Sequence, residues 1–204
     1  MQRRPTVSVC VGQVEIGSRH PLRLQSMTNT STLDIEASVA QCKALAQAGA
    51  DIVRLTAQGV SHAKALGEIH GRLRQEGVDT PLVADIHFNP AAAFAAAETV
   101  EKVRINPGNF ADPGRTFKKL EYTDAEYAAE TDRIRNALIP FLELCRSRGT
   151  AIRLGVNHGS LSDRIMSRYG DTPAGMVESA MEYLRVCRET GFDQVVISIK
   201  ASNV

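Results

Sequence analysis

The residues of this chain that could do chemistry sit inside short β-rich runs, spaced two apart. Asp85 and His87 share one face of the run Pro81–His87. Arg104 and Asn106 share a face of Lys102–Asn106, and Arg153 and Asn157 share a face of Ala151–Asn157 with Gly155 between them. Ser198 and Lys200 do the same in Gln194–Lys200, where Ser202 extends the series, and Arg54 lies in Asp51–Ala57. Side chains alternate along a strand, so each set points one way, and each is expected toward the C-terminal end of its strand. Arg54, Arg104, Arg153 and Lys200 then put four cations around one pocket, against the single carboxylate Asp85. An isolated buried charge costs several kcal/mol, roughly, so such a set calls for anionic partners. A phosphate or diphosphate supplies them, and the guanidinium fork binds its oxygens bidentately. Internal ion pairs, or a solvated face of an antiparallel sheet, form the competing reading.

Loops after the runs add donors. Asn157-His158-Gly159-Ser160 combines polar groups with a glycine that lets backbone approach a ligand, and 26–30 (SMTNT) is a polar loop. Pro107 to Tyr122 is long and contains Gly and Lys, which suits a lid or a solvated loop equally. His20, His62 and His70 have no polar cluster beside them in sequence and read as structural or surface residues. Cys10, Cys42, Cys145 and Cys187 are far apart, without Cys-x-x-Cys or zinc spacing. Cys42 and Cys187 fall on apolar helical stripes and read as buried thiols.

The elements that must position these residues alternate. Leu22–Met27 precedes the five runs above, and helical patterns separate the runs. Ile35, Val39, Cys42 and Ala46 form a stripe after the N-cap Asp34, with Gly49 as its stop. A second pattern runs from Ser61 to Gly77, and Asn89-Pro90 opens an Ala-rich helix. Thr123-Asp-Ala-Glu126 is a capping box for a long helix ending at Gly149, which Pro140 should kink or split. Thr172-Pro173 opens a last helix that Gly191 closes. Strand followed by helix, repeated, predicts a parallel sheet with crossover helices. The intervening helices argue against an antiparallel solvated face. Thr6–Ile16 reads as a β-hairpin turning at Gly12-Gln13, suited to plug the bottom of a barrel. A doubly wound open sheet competes, weakened by the absence of Gly-x-Gly-x-x-Gly and phosphate-loop motifs.

The chain has 204 residues, 43% hydrophobic and 23% charged, with net charge +1. That is globular composition, with no bulk charge to suggest nucleic acid or an anionic membrane as partner. No apolar run approaches a transmembrane length and the basic N-terminus is no signal peptide, so a cytoplasmic location is expected.

The strings QSMTNT (25–30), GADIVR (49–54), LVADIHF (82–88), VRINPGN (103–109), IRLGVNHGSL (152–161), YGDTP (169–173), ESAM (178–181) and SIKAS (198–202) together resemble the 4-hydroxy-3-methylbut-2-en-1-yl diphosphate synthase family. These are iron–sulfur enzymes of the non-mevalonate isoprenoid pathway. The likeness runs from about Thr6 to Val204. The patterns at 117–122 and 158–171 look most like the longer variant, which carries an extra domain. The resemblance implies a TIM (β/α)8 barrel, here as about six βα units after the hairpin. It implies two-electron reductive ring opening and dehydration of 2-C-methyl-D-erythritol 2,4-cyclodiphosphate to 4-hydroxy-3-methylbut-2-enyl diphosphate. A [4Fe-4S] cluster would be held by a separate C-terminal domain on three Cys and one Glu, with flavodoxin or ferredoxin as electron donor. By motif, Arg54, Arg104, Arg153 and Lys200 would grip the diphosphate, and Asn106, Asn157, His158 and Ser202 would orient it. Asp85 and His87 would hold the cations and carbon skeleton in place.

The sequence departs from the family pattern after its sixth strand. It has no seventh or eighth unit, no cluster cysteines and no late-barrel carboxylate near a Thr-Glu-Ala-Gly string. The expectation is therefore one partial barrel, residues 1–204, cut from a longer parent. Alone it should bind no metal, be inactive, and self-associate through open sheet edges. The alternatives are another phosphate-ligand barrel enzyme, such as a pterin-type synthase or a Schiff-base aldolase using Lys200, and a non-catalytic binding module.

Overall fold

The computed structural model describes residues 4–112 and 121–202. The chain opens with a hairpin, β1 (Val9–Val11) and β2 (Val14–Ile16), paired antiparallel with Cys10 opposite Glu15. Its turn uses Gly12 in the left-handed region, φ 57°. Six strands follow: β3 (Gln25–Met27), β4 (Ile52–Ala57), β5 (Leu82–Ile86), β6 (Lys102–Ile105), β7 (Ala151–Asn157) and β8 (Val195–Lys200). All are parallel and pair in chain order. A doubly wound sheet would reverse its strand order; this one never does, and it curls into a half-barrel.

The helices are α1 (Ile35–Gln47), α2 (Val60–Gln75), α3 (Pro90–Ala97), α4 (Asp124–Arg148), α5 (Asp163–Tyr169) and α6 (Pro173–Glu189). The capping chemistry expected from sequence is present. Asp34 accepts from the Ala37 amide, Asn89 from Ala92, and Thr172 from Gly175. Thr123 and Glu126 complete a reciprocal capping box. Gly149 ends α4 at φ 68°. Pro140 does not split α4, which runs unbroken through it. The 3-10 turn His158–Ser160 and the short α5 carry too few turns to give a period, and sequence reasoning missed both.

Alternate strand residues face two environments. Val53, Leu55, Leu82, Ala84, Val103, Ile105, Ile152 and Leu154 pack outward onto the helices, forming the main core with Leu66, Ile69, Leu138, Phe141 and Tyr183. On the inner face, Val9 and Val11 of the hairpin pack on Ile52, Val83 and Ala151. These lie at or near the N-terminal ends of their strands, so the hairpin forms an apolar floor, as expected. Asp85, Arg104 and Arg153 on the inner face lie one step above it.

Candidate functional site

Register sets the inner face. Asp85 lies opposite Thr56 on one side and Arg104 on the other, and Arg104 lies opposite Arg153. These residues therefore form one layer across four strands. Asp85 is fully buried on the fully buried strand β5. Its carboxylate accepts from Arg54 Nη2 through Oδ2 and from Arg104 Nη1 through Oδ1, the latter at 3.2 Å. His87 Nε2 stands 3.8 Å from Asp85 Oδ2. One carboxylate thus holds two guanidinium groups.

Arg104 crosses the inner face and donates from Nη2 to the Gly155 carbonyl oxygen at 2.9 Å. A Cβ on residue 155 would stand 2.2 Å from Arg104 Nε, so only glycine leaves the path open. Arg153 Nη2 donates to Ser198 Oγ at 2.7 Å and has no carboxylate partner among the described residues. Arg54 Nε is buried and without a hydrogen-bond partner among the described residues. Burial lowers the pKa of the Arg104 and Arg153 guanidiniums, and Arg54 lowers both further by repulsion, with Asp85 opposing. Both remain charged. The site is an excess of buried cation, and an oxyanion entering it relieves both the desolvation and the repulsion.

The rim lies on the loops after β6 and β7. Asn106 Nδ2 donates to Ser160 Oγ at 2.7 Å, and Asn106 Oδ1 accepts from the Gly108 amide at 3.1 Å. Gly108 is pressed against the other loop: a Cβ there would sit 1.7 Å from the Ser160 carbonyl oxygen. His158 pairs through Nδ1 with Ser202 Oγ at 3.2 Å and through Nε2 with Asp171 Oδ1 at 2.9 Å. Asn157 lies opposite Lys200 in register, at the top of β7 and β8. Lys200 and Ser202 are exposed. The structure therefore divides the expected set. Arg54, Asp85, His87, Arg104 and Arg153 form a cluster in which Asp85 and Arg104 are buried and the other three half-buried, and the buried Asn106 with Asn157, His158, Lys200 and Ser202 forms its rim.

Two expectations change. Arg54 and Arg153 are the third residues of strands of 6 and 7 residues, so the cation layer lies mid-barrel rather than at the strand ends. A further cation, Lys102, also lies on the inner face, which sequence reasoning passed over although it shares the period-two series of Arg104 and Asn106. His20 and His70 are structural, as read, but each has polar company: His20 contacts Ser8 at 2.8 Å, and His70 contacts Glu101 at 2.8 Å. The 107–122 loop, read equally as a lid or a solvated loop, lies outside the described residues over 113–120.

Cluster chemistry finds no fit here. Cys42, Cys145 and Cys187 are buried, and burial pushes their thiols up to about 11, 12 and 12. No group of three His, Cys, Asp or Glu able to hold a metal occurs among the described residues. Nor is any described helix long and apolar enough to cross a membrane.

Residues 6–204 match the family model described as the GcpE TIM-barrel domain. The chain belongs to this family. It is 62% identical over 201 residues to the 4-hydroxy-3-methylbut-2-en-1-yl diphosphate synthase (flavodoxin) of Parabacteroides distasonis, covering 98% of this chain and 33% of that protein. It is 50% identical over 202 residues to the chloroplastic, ferredoxin-type synthase of Oryza sativa subsp. japonica, covering 99% of this chain and 27% of that protein. The GcpE-family chain thus spans about a third of the length of the curated relatives it matches. Among solved structures it resembles the phospho-2-dehydro-3-deoxyheptonate aldolase of Thermotoga maritima, with a TM-score of 0.53 at 12% identity over 95% of this chain and 45% of that one. That likeness is one of fold alone.

Proposed function

We propose that this chain is the diphosphate-binding barrel portion of a reductive synthase. The reaction opens the ring of 2-C-methyl-D-erythritol 2,4-cyclodiphosphate and removes water, giving 4-hydroxy-3-methylbut-2-enyl diphosphate. Two electrons and two protons enter and one water leaves. The names of the relatives supply the product and the two classes of electron donor, flavodoxin and ferredoxin. The observation that carries the reading is the Arg54–Asp85–Arg104 cluster with Arg153 beside it. Asp85 fixes two guanidinium forks, and Arg153 is left for an external anion.

In this reading Arg54, Arg104 and Arg153 bind phosphoryl oxygens, and Lys200 closes over them from the rim. Asn106, Asn157, His158 and Ser202 orient the ligand, while His87 faces the carbon skeleton. The residues described here do not supply a [4Fe-4S] ligand set. A cluster would be held by a part of the longer protein outside these residues, and the chain alone is then a binding unit without reductase turnover. Its own share of catalysis is positioning and charge stabilisation. Calorimetric titration of the cyclodiphosphate into the chain tests this. One ligand per chain, with affinity falling as salt rises, is expected. Absence of binding at low salt refutes it.

A further inference from the structure

Lys102 is the most anomalous residue of the inner face. It opens β6, and its relative exposure is 2%. In register it lies opposite Val83 on β5 and Ala151 on β7, both part of the apolar floor that the hairpin seals. Arg54 lies opposite Val83 from the other side. Lys102 is therefore one side-chain layer below Asp85, Arg104 and Arg153. Its one hydrogen bond is a long one, from Nζ to Gln25 Oε1 at 3.5 Å, and it joins no ion pair among the described residues. The charges that face it are Arg153 and Arg54, both of its own sign. It lines a cavity of about 500 Å³ between the β3 and β8 sides of the sheet, together with Gln25, Arg153 and Ser198.

A lysine placed on an apolar floor, level with Arg54 and below Arg153 and with no carboxylate, costs the fold stability. The cation layer above already has Asp85 as its counter-charge; this lower position has none. Arg153 reaches both levels, since it shares the upper layer with Arg104 and lines the lower cavity with Lys102. Two linked oxyanions, one per level, match that arrangement. We propose that Lys102, with Arg54 and Arg153, forms a lower oxyanion subsite that takes the inner of two linked phosphate groups, while Arg104 and Arg153 take the outer. This deepens the reading of the site as a diphosphate cradle and rests on it. Burial and the two arginines pull the Lys102 pKa down to about 8, so an arriving anion also restores a full ammonium charge there.

The test compares inorganic pyrophosphate with inorganic phosphate on this chain, wild type against Lys102→Met and Lys102→Gln, by calorimetry and thermal melting. Pyrophosphate should bind the wild type more tightly than phosphate. Both variants should weaken pyrophosphate by at least about tenfold, the worth of one charge-assisted hydrogen bond, and leave phosphate within about twofold. They should also raise Tm, because an unpaired buried charge has gone. Unchanged pyrophosphate affinity in the variants overturns the lower subsite, and so does a fall in Tm or loss of folding, which would make Lys102 a structural residue. If neither anion binds the wild type, the cradle reading itself fails and this inference falls with it.

Discussion

At the scale of the residue, the inner face is governed by who neutralises whom. Asp85 serves two arginines, and Gly155 is defined by the side chain that passes over it. Gly155→Ala puts a Cβ where Arg104 Nε now lies, so Arg104 must leave Asp85 and the Gly155 carbonyl. The variant should lose about tenfold in pyrophosphate affinity, roughly the value of one charge-assisted contact, measurable by calorimetry; an unchanged constant would show that Arg104 has slack the geometry denies. Lys102 gives a pH signature. Its folded pKa, about 8, lies below its ordinary value of 10.5, so between these values the unfolded chain binds more protons than the folded one. Stability assigned to this group therefore rises with pH from about 8 to 10.5. Urea midpoints at pH 7.5 and 9.5 should show a rise in the wild type that Lys102→Met lacks; equal rises in both would contradict it. The cations at 54, 104 and 153 were legible because charge at period two inside a buried strand is conspicuous. Lys102 has the same period, but it stands at the first residue of its strand, where a lysine usually marks a solvated end.

At the scale of the element, the rim depends on a buried network that no local pattern announces. Arg164 on α5 donates from Nη1 to both oxygens of Asp112 at 3.0 Å, and from Nη2 to Glu182 on α6 at 2.6 Å. Tyr127 of α4 donates its hydroxyl to Glu182, and Arg133 reaches Asp112 at 3.0 Å. Asp112 lies in the loop after β6, so this cluster holds that part of the loop against α5, close to where Gly108 meets Ser160. Removing one member leaves buried charges unpaired. Arg164→Met should cost about 3–5 kcal/mol in chemical denaturation, whereas a cost below about 1 kcal/mol would mean that water reaches the cluster. The helices and their caps were readable because capping is chemistry within four residues. This network was not, because its partners stand 18 to 55 positions apart and α5 is only 7 residues long.

At the scale of the whole molecule, alternation and punctuation predicted a parallel sheet with crossover helices behind an N-terminal hairpin; the barrel curl came from the family resemblance, since alternation alone left a doubly wound sheet as a rival. The depth of the site was not legible: it depends on how far the hairpin fills the base, a packing outcome absent from any local pattern. The curled sheet ends at β3 and β8, and Ile197 and Ile199 on β8 are about half exposed, at 49% and 50%. Edges of this kind recruit further strands. The isolated chain should self-associate in light scattering, and a thermostable monomer would contradict that. The central claim is that the inner face is an oxyanion cradle centred on Arg104. Its most direct test is the cyclodiphosphate dissociation constant of the chain beside that of Arg104→Ala, with folding checked by circular dichroism. The cradle predicts a loss of about 1.5–3 kcal/mol, roughly 10- to 150-fold. An unchanged constant in a folded variant would make Arg104 a strut of the barrel and contradict the account.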